Sequence, residues 1–268
     1  MKNKESLGCN KVCIGLSVLA LVASLFAVFF QIRGSRDCMD SKFNEKVKEI
    51  VVDVVKQDPQ LLMDAMGEGI SKKREEAVKQ LAVEVGAHKT EIDKQCMKFG
   101  KLDSKKTIIC FFDPLCKHCV EFQKNMVKLI EANKDVCFKL LPVDVLGDDS
   151  RTLARVYISA YQESPKQALK FIKEIISKDN EMDKNGIEAA LKNAGCDVKK
   201  IEDLALEADK RLAENGKLAE ELKLPVVPMI FASVGSQIAT VLQTDAEQLL
   251  AALEDVAQGN NPSPTTTK

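Results

Sequence analysis

Apolar and polar positions alternate in several rhythms along this chain. Val12 to Ile32 is almost continuously apolar, broken only by Gly15, Ser17, Ser24 and Gln31. A run of that length is enough for one helical crossing of a bilayer, which takes about 20 residues. From Ser41 to Lys56 the apolar residues Phe43, Val47, Ile50, Val51 and Val54 recur at helical spacing. Asp58 and Pro59 then end that helix and start another, with Asp58 as N-cap and Pro59 at the first position. The second helix carries Leu61, Leu62, Ala65, Met66 and Ile70 and runs to about Val85. Nothing in 33–96 reads as strand, so the segment is expected to be a helical stalk.

The rhythm changes at Met97. Met97–Phe99 followed by Gly100 predicts a short edge strand, and Thr107–Asp113 a core strand leading into an amphipathic helix that ends near Ala132. Val136–Pro142 is the next strand, giving a β–α–β unit. Helical patterns then cover Thr152–Tyr161, Pro165–Ser177, Lys184–Ala194 and Val198–Leu222. Strand Val226–Ala232, a turn at Gly235-Ser236, strand Gln237–Leu242 and a helix from Asp245 to about Val256 complete the pattern. The Asn/Pro/Ser/Thr-rich tail 259–268 has the composition of a disordered segment.

The chemistry sits at the junction of the core strand and its helix, in Cys116-Lys117-His118-Cys119. A CxxC opening the helix of a βα unit is a redox signature. The first cysteine lies where free N–H groups and the helix dipole favour an anion, here a thiolate. Lys117 is cationic and His118 can be, so both favour thiolate over thiol. The second cysteine, three residues on, shares the same helix face and is within reach of a disulfide. Cys116 is therefore assigned as the exposed nucleophile and Cys119 as the resolving thiol. A zinc site is the bland alternative, but zinc takes about four ligands. The chain has no second CxxC and only one other histidine, His88, read as solvent-facing in the stalk. No metal and no bound cofactor are expected.

Composition narrows the setting. The 268 residues carry a net charge of −1 with both signs interspersed, and no basic stripe suggests nucleic acid. Lys2, Lys4 and Lys11 precede the apolar run and Arg33 and Arg36 come after it. The run exceeds the roughly 7–15 residues of a signal-peptide core and shows no A-x-A site, which favours an uncleaved signal anchor over a cleaved leader. Either reading exports the chain beyond residue 33 into an oxidising compartment, where thiol–disulfide chemistry has substrates. The domain plan is then a cytoplasmic 1–11, an anchor at 12–32, the stalk at 33–96, an α/β domain at 97–258 with a helical insertion at about 145–222, and the tail.

Of the nine cysteines, Cys9 and Cys13 precede or enter the anchor. Cys110 and Cys137 fall within strands and are read as buried thiols. Cys38, Cys96 and Cys196 lie near element ends. Setting the CxxC aside leaves five beyond the membrane, an odd number, so at least one is free or bridges chains. Cys38 is the candidate for an interchain bridge.

Strand, CxxC helix, strand, helical insertion, strand, strand, helix: this order resembles a thioredoxin fold interrupted by a helical domain, as in DsbA-like thiol–disulfide oxidoreductases. The likeness covers about 97–256. Phe111 to Cys119 resembles that family's active-site segment, His118 included, although Lys117 stands where proline is usual. Asp149 to Arg155 is similar to the start of the family's insertion. Leu222 to Phe231 resembles its second motif, with Pro228 at the cis-proline position and Val227 before it. The resemblance implies that Val227 and Pro228, with Lys117, shape a groove in which a substrate peptide pairs with the backbone beside Cys116, and that His118 stabilises the Cys116 thiolate. Residues 47–73 resemble the N-terminal helices of ScsC-like relatives, some of which oligomerise and act as isomerases.

The resulting expectation is an envelope thiol–disulfide oxidoreductase that is periplasmic and anchored in the inner membrane, or released there if the leader is cut. It would act on exported proteins with cysteines, be recharged by a membrane redox partner, and form a homo-oligomer through the stalk. His118 and Val227 lean towards an oxidase and the stalk towards an isomerase. The alternative is an anchored peptide-binding holdase or surface protein with an idle CxxC.

Overall fold

The computed structural model describes residues 43–53, 56, 59–178, 183–260 and 262. The expected anchor, Cys9, Cys13, Cys38 and the last six residues of the tail lie outside these. Among the described residues no helix is long and apolar enough to cross a membrane. The chain divides into two compact units, 1–72 and 73–268.

In the first unit, residues 43–53 form helix α1, and its Phe43, Val47, Ile50 and Val51 are all exposed. Helix α2, at Pro59–Ala87, begins in this unit and ends in the second.

The second unit is built on a five-stranded sheet. Its strands are β1 (Met97–Gly100), β2 (Lys106–Phe112), β3 (Cys137–Pro142), β4 (Met229–Val234) and β5 (Gln237–Val241), in the spatial order β1-β3-β2-β4-β5. Only β2 and β3 are parallel, joined across α4 (Lys117–Glu131); the other neighbours are antiparallel. β2 lies at the centre, which explains its unbroken apolar run: a strand covered on both faces has no polar side. Ile108, Cys110 and Phe112 point into one core, while Ile109 and Phe111 point into the other.

The first core is closed by α4, by α10 (Ala246–Ala257), and by the insertion helices α5 (Asp148–Glu163), α6 (Pro165–Ser177), α7 (Lys184–Ala194) and α8 (Val198–Asp203). Capping marks these helices clearly. Ser164 caps α6 with Pro165 at its first position, and Asp183, Asp197 and Asp245 accept backbone N–H bonds at the starts of α7, α8 and α10.

The second face is covered by the end of α2, by α3 (Lys89–Gln95) and by α9 (Ala205–Glu221). Leu81, Val85, Ile92, Cys96, Leu218 and Leu222 bury themselves there against Ile109, Phe111, Leu141 and Phe231. Arg211 secures α9 by donating to the carbonyls of Gln95 (2.6 Å) and Cys96 (2.8 Å).

Three expectations need correction. The stalk does not reach residue 96: the compact unit that holds the sheet begins at Lys73, and α2 from Leu81 onward supplies its core. Periodicity could not reveal this, because one apolar stripe looks the same whether it faces a sheet or another chain. Helix α3 escaped detection because it is seven residues long, with Ile92 its only apolar residue. The segment 198–222 is two helices broken at Leu204, since Ile201 enters the first core while Ala208 and Leu212 pack on Ala154 and Ile158 of α5.

Candidate active site

The sheet register builds the site. β2 and β4 run antiparallel with Phe111 opposite Met229. Continuing β2 by a few residues leads to Cys116, and stepping back from Met229 leads to Pro228 and Val227. The two sequence motifs therefore meet at one end of the sheet. The Val227–Pro228 peptide bond is cis. The ladder of β4 starts at Met229 rather than at Val226 because Pro228 has no N–H to donate.

Cys116 is the N-cap of α4, with extended backbone dihedrals. Its N–H donates to the Asp113 carbonyl (3.1 Å), and its own carbonyl accepts the first intrahelical bond, from Val120 N–H (3.0 Å). Its thiol is partly exposed and donates to the Val227 carbonyl at 3.5 Å. Lys117 and His118 are exposed in the first turn. Cys119, on the buried side of that turn, is fully enclosed. Burial pushes its thiol far up; the neighbouring Cys110 sulfur adds to this, a backbone hydrogen bond with Asp113 opposes it, and Cys116 adds smaller pushes. The pair is thus divided into one reachable sulfur and one held neutral in the core. All six described cysteines are thiols.

Buried groups below the pair escaped the sequence reading as functional residues. Asp113, completely buried, directs one carboxylate oxygen to the Leu115 N–H (2.9 Å) and the other to the Leu146 N–H (3.0 Å) and the Ser150 hydroxyl (2.6 Å). One side chain thereby fixes both the loop that carries Cys116 and the loop that enters α5. Tyr157 of α5 donates to Gln123 Oε1 (3.1 Å) inside the core, and burial raises the phenol. Cys110 is also fully buried, its thiol pushed well up by burial and then by Cys116. A polar residue inside an apolar strand–turn segment was the only available signal for Asp113; nothing in sequence pairs it with Ser150.

A groove of about 720 Å³ runs over the insertion, lined by Leu153, Val156, Ile187, Asp149 and Arg155 and by Leu115, the residue before Cys116. Val226, the residue before Val227, is exposed. His88 lies far along the chain from this site. It is half-buried rather than solvent-facing, with Nδ1 2.9 Å from the Glu84 carbonyl.

The thioredoxin family model matches residues 93–255. Among solved structures, BcfH of Salmonella enterica Typhimurium is similar at 16% identity over 83% of this chain and 99% of that one, with a TM-score of 0.67. Proteus mirabilis ScsC in a transitional conformation shares 24% identity over 81% of this chain and 99% of its own, with a TM-score of 0.55. The thiol-disulfide exchange protein alpha-DsbA2 from Wolbachia pipientis shares 18% identity over 68% and 97%, with a TM-score of 0.57. At these identities the likeness is one of fold. No curated protein matches the chain.

Proposed function

This chain belongs to the thioredoxin family, and we propose that it is an exported thiol–disulfide oxidoreductase working through Cys116 and Cys119. The observation that carries this reading is the split environment of the pair: a reachable Cys116 at a helix N-terminus, touching the Val227 carbonyl, and a buried Cys119 one turn along. The similarity in fold to a thiol-disulfide exchange protein of Wolbachia pipientis agrees with it.

In the oxidising direction, a substrate thiolate attacks Cys116 Sγ of the Cys116–Cys119 disulfide. One S–S bond breaks, a mixed disulfide forms, and Cys119 leaves as thiolate and takes a proton. A second substrate thiolate then attacks the substrate sulfur of the mixed disulfide and releases Cys116. The substrate has lost two electrons and the enzyme has gained them. In the rearranging direction, the Cys116 thiolate attacks a substrate disulfide and is released by another substrate thiol, with no net oxidation. Lys117 supplies positive charge near the reacting sulfur, His118 stands beside it in the first turn of the helix, and the backbone at Val227–Pro228 pairs with the substrate chain.

The substrates are exported proteins with cysteines. A membrane redox partner restores the active form, and the N-terminal run holds the protein at the inner membrane facing the periplasm. The exposed stripe of Phe43, Val47, Ile50 and Val51 on α1 supports a homo-oligomer, because a short helix with a bare apolar face is marginal by itself in water. Several sites facing one another would favour isomerisation over simple oxidation.

The test is reactivation of scrambled, oxidised ribonuclease by the fragment from residue 37, with Cys116→Ala as control. Recovery that requires Cys116 is the expected result. No recovery, together with transfer of the enzyme's disulfide to reduced ribonuclease, would make it an oxidase. Neither activity would leave the idle-site holdase as the reading.

A further inference from the structure

We propose that the groove over the insertion is a second contact for the substrate chain, and that it selects segments with apolar and basic residues a few positions from the reacting cysteine. The inference rests on the oxidoreductase reading above and names the kind of sequence on which that chemistry acts.

The groove encloses about 720 Å³, and its apolar lining includes Leu115, Val156 of α5, Ile187 of α7 and Val198 of α8. All four pack on the first core yet are only partly buried. Apolar side chains left half open in a concavity gain when an apolar occupant removes them from water. Leu115 also ties the groove to the chemistry. It precedes Cys116 directly, and neighbouring Cα atoms stand about 3.8 Å apart. A substrate sulfur at Cys116 brings residues a few positions away within reach of the groove, because an extended chain advances about 3.3 Å per residue. Neither Val227 nor Pro228 lines it, so it is distinct from the backbone pairing at the cis-proline.

Charge selects the occupant. Asp149, Asp183, Glu188 and Glu202 line the groove against only Arg155 and Lys184. Arg155 is already engaged, with Nη1 3.5 Å from Asp209 Oδ2. Glu188 is likewise taken by Lys192, 2.6 Å away. Asp149 and Glu202 are exposed and make no ion pair among the described residues. The rim that remains is net negative over an apolar floor. A lysine or arginine suits both, since its methylene stem covers apolar surface while its head meets the carboxylates. No other charge on the page would draw such a segment. The whole chain carries only −1, and Lys117 beside Cys116 is cationic, so Lys117 by itself favours acidic neighbours. A preference for basic ones is therefore a signature of the groove.

The probes are peptides with one cysteine, held as a mixed disulfide with 5-thio-2-nitrobenzoate. About two to five positions from it, within reach of an extended chain, they carry leucines together with lysines, glutamates or glutamines. The protein is the full chain in detergent with Cys119→Ser. The Cys116 thiolate attacks the peptide sulfur, the peptide's S–S bond breaks, a Cys116–peptide disulfide forms, and the coloured nitrobenzoate thiolate leaves. The chain that also carries Cys116→Ser gives the background, and each rate is divided by that of the same peptide with 2-mercaptoethanol. The lysine peptide is expected to react at least about fivefold faster than the glutamate peptide, the worth of one or two exposed ion pairs, with the ratio shrinking as salt rises. Asp149→Asn combined with Glu202→Gln should bring that ratio close to one, and a ratio does not depend on how much of the variant is folded. Equal, Cys116-dependent rates for all the peptides, or a lysine preference that survives the double substitution, would overturn the proposal and leave the oxidoreductase reading standing. No reaction at Cys116 with any peptide would overturn that reading, and the role of the groove with it.

Discussion

The Ser150 hydroxyl donates a 2.6 Å hydrogen bond to Asp113 Oδ2, with both residues completely buried. The contact joins residues 37 positions apart: one lies just past the central strand, and the other opens the first helix of the insertion. The same carboxylate also holds the N–H groups of Leu115 and Leu146. The insertion is thereby fastened to the loop that presents Cys116, and the two cannot shift independently.

Removing that carboxylate strands a buried hydroxyl and leaves two part-buried backbone donors without their partner. A buried unsatisfied group costs about 1–3 kcal/mol. Asp113→Ala is expected to destabilise the second unit by about 2–3 kcal/mol, more than Ser150→Ala, which removes one hydrogen bond worth about 1–2 kcal/mol. Urea unfolding would measure both. A loss below about 1 kcal/mol for Asp113→Ala would mean that the bonds are not maintained in solution.

The unequal burial of the two thiols predicts unequal reactivity. Iodoacetamide should modify Cys116 in the folded, reduced protein and leave Cys119 untouched until denaturant is added. With glutathione disulfide, Cys119→Ser should accumulate a mixed disulfide at Cys116, while Cys116→Ser should form none at the buried Cys119. Peptide mass mapping distinguishes the cases, and equal labelling of both cysteines would contradict the geometry.

Alkaline pH should weaken the fold. Burial pushes the Cys96 thiol up to about 11 from an ordinary 9.0, the largest of several influences on it. The folded value lies above the unfolded one, so the neutral thiol's contribution is fully present below pH 9 and is lost as pH rises through 11. A two-unit difference corresponds to about 2–3 kcal/mol. Cys196, likewise raised to about 11 by burial, adds in the same direction. Denaturant midpoints measured between pH 8 and 11 should fall, and Cys96→Ala should flatten the decline.

Truncation separates the stalk from the core. A fragment beginning at Lys73 retains Leu81, Val85, Ile92 and Cys96 over the second face of the sheet and should fold with cooperative unfolding. A fragment beginning at Met97 loses them and exposes Ile109, Phe111 and Leu141. At about 1.5–3 kcal/mol for each large apolar side chain, the loss rivals the roughly 5–15 kcal/mol that stabilises a whole domain. That fragment should aggregate or bind hydrophobic dyes. Any assay of the stalk's role therefore needs its cut at residue 73, so that lost activity reports on assembly rather than on unfolding.

Local chemistry carried much of this protein into view. The alternation of apolar runs marked all five strands to within about three residues, because a central strand buried on both faces and a Pro- or Asp-capped helix leave marks in consecutive positions. The helix-opening CxxC was equally local: Cys116 as N-cap and Cys119 three residues later come from helix geometry alone. What tertiary structure decided were the relations between distant segments. The register of β2 against β4 set the Val227 carbonyl 3.5 Å from Cys116, and folding of the insertion onto β2 delivered Ser150 to Asp113. It also turned the end of α2 from presumed stalk into core. An amphipathic stripe states that a face must be buried; only packing chooses the surface that buries it.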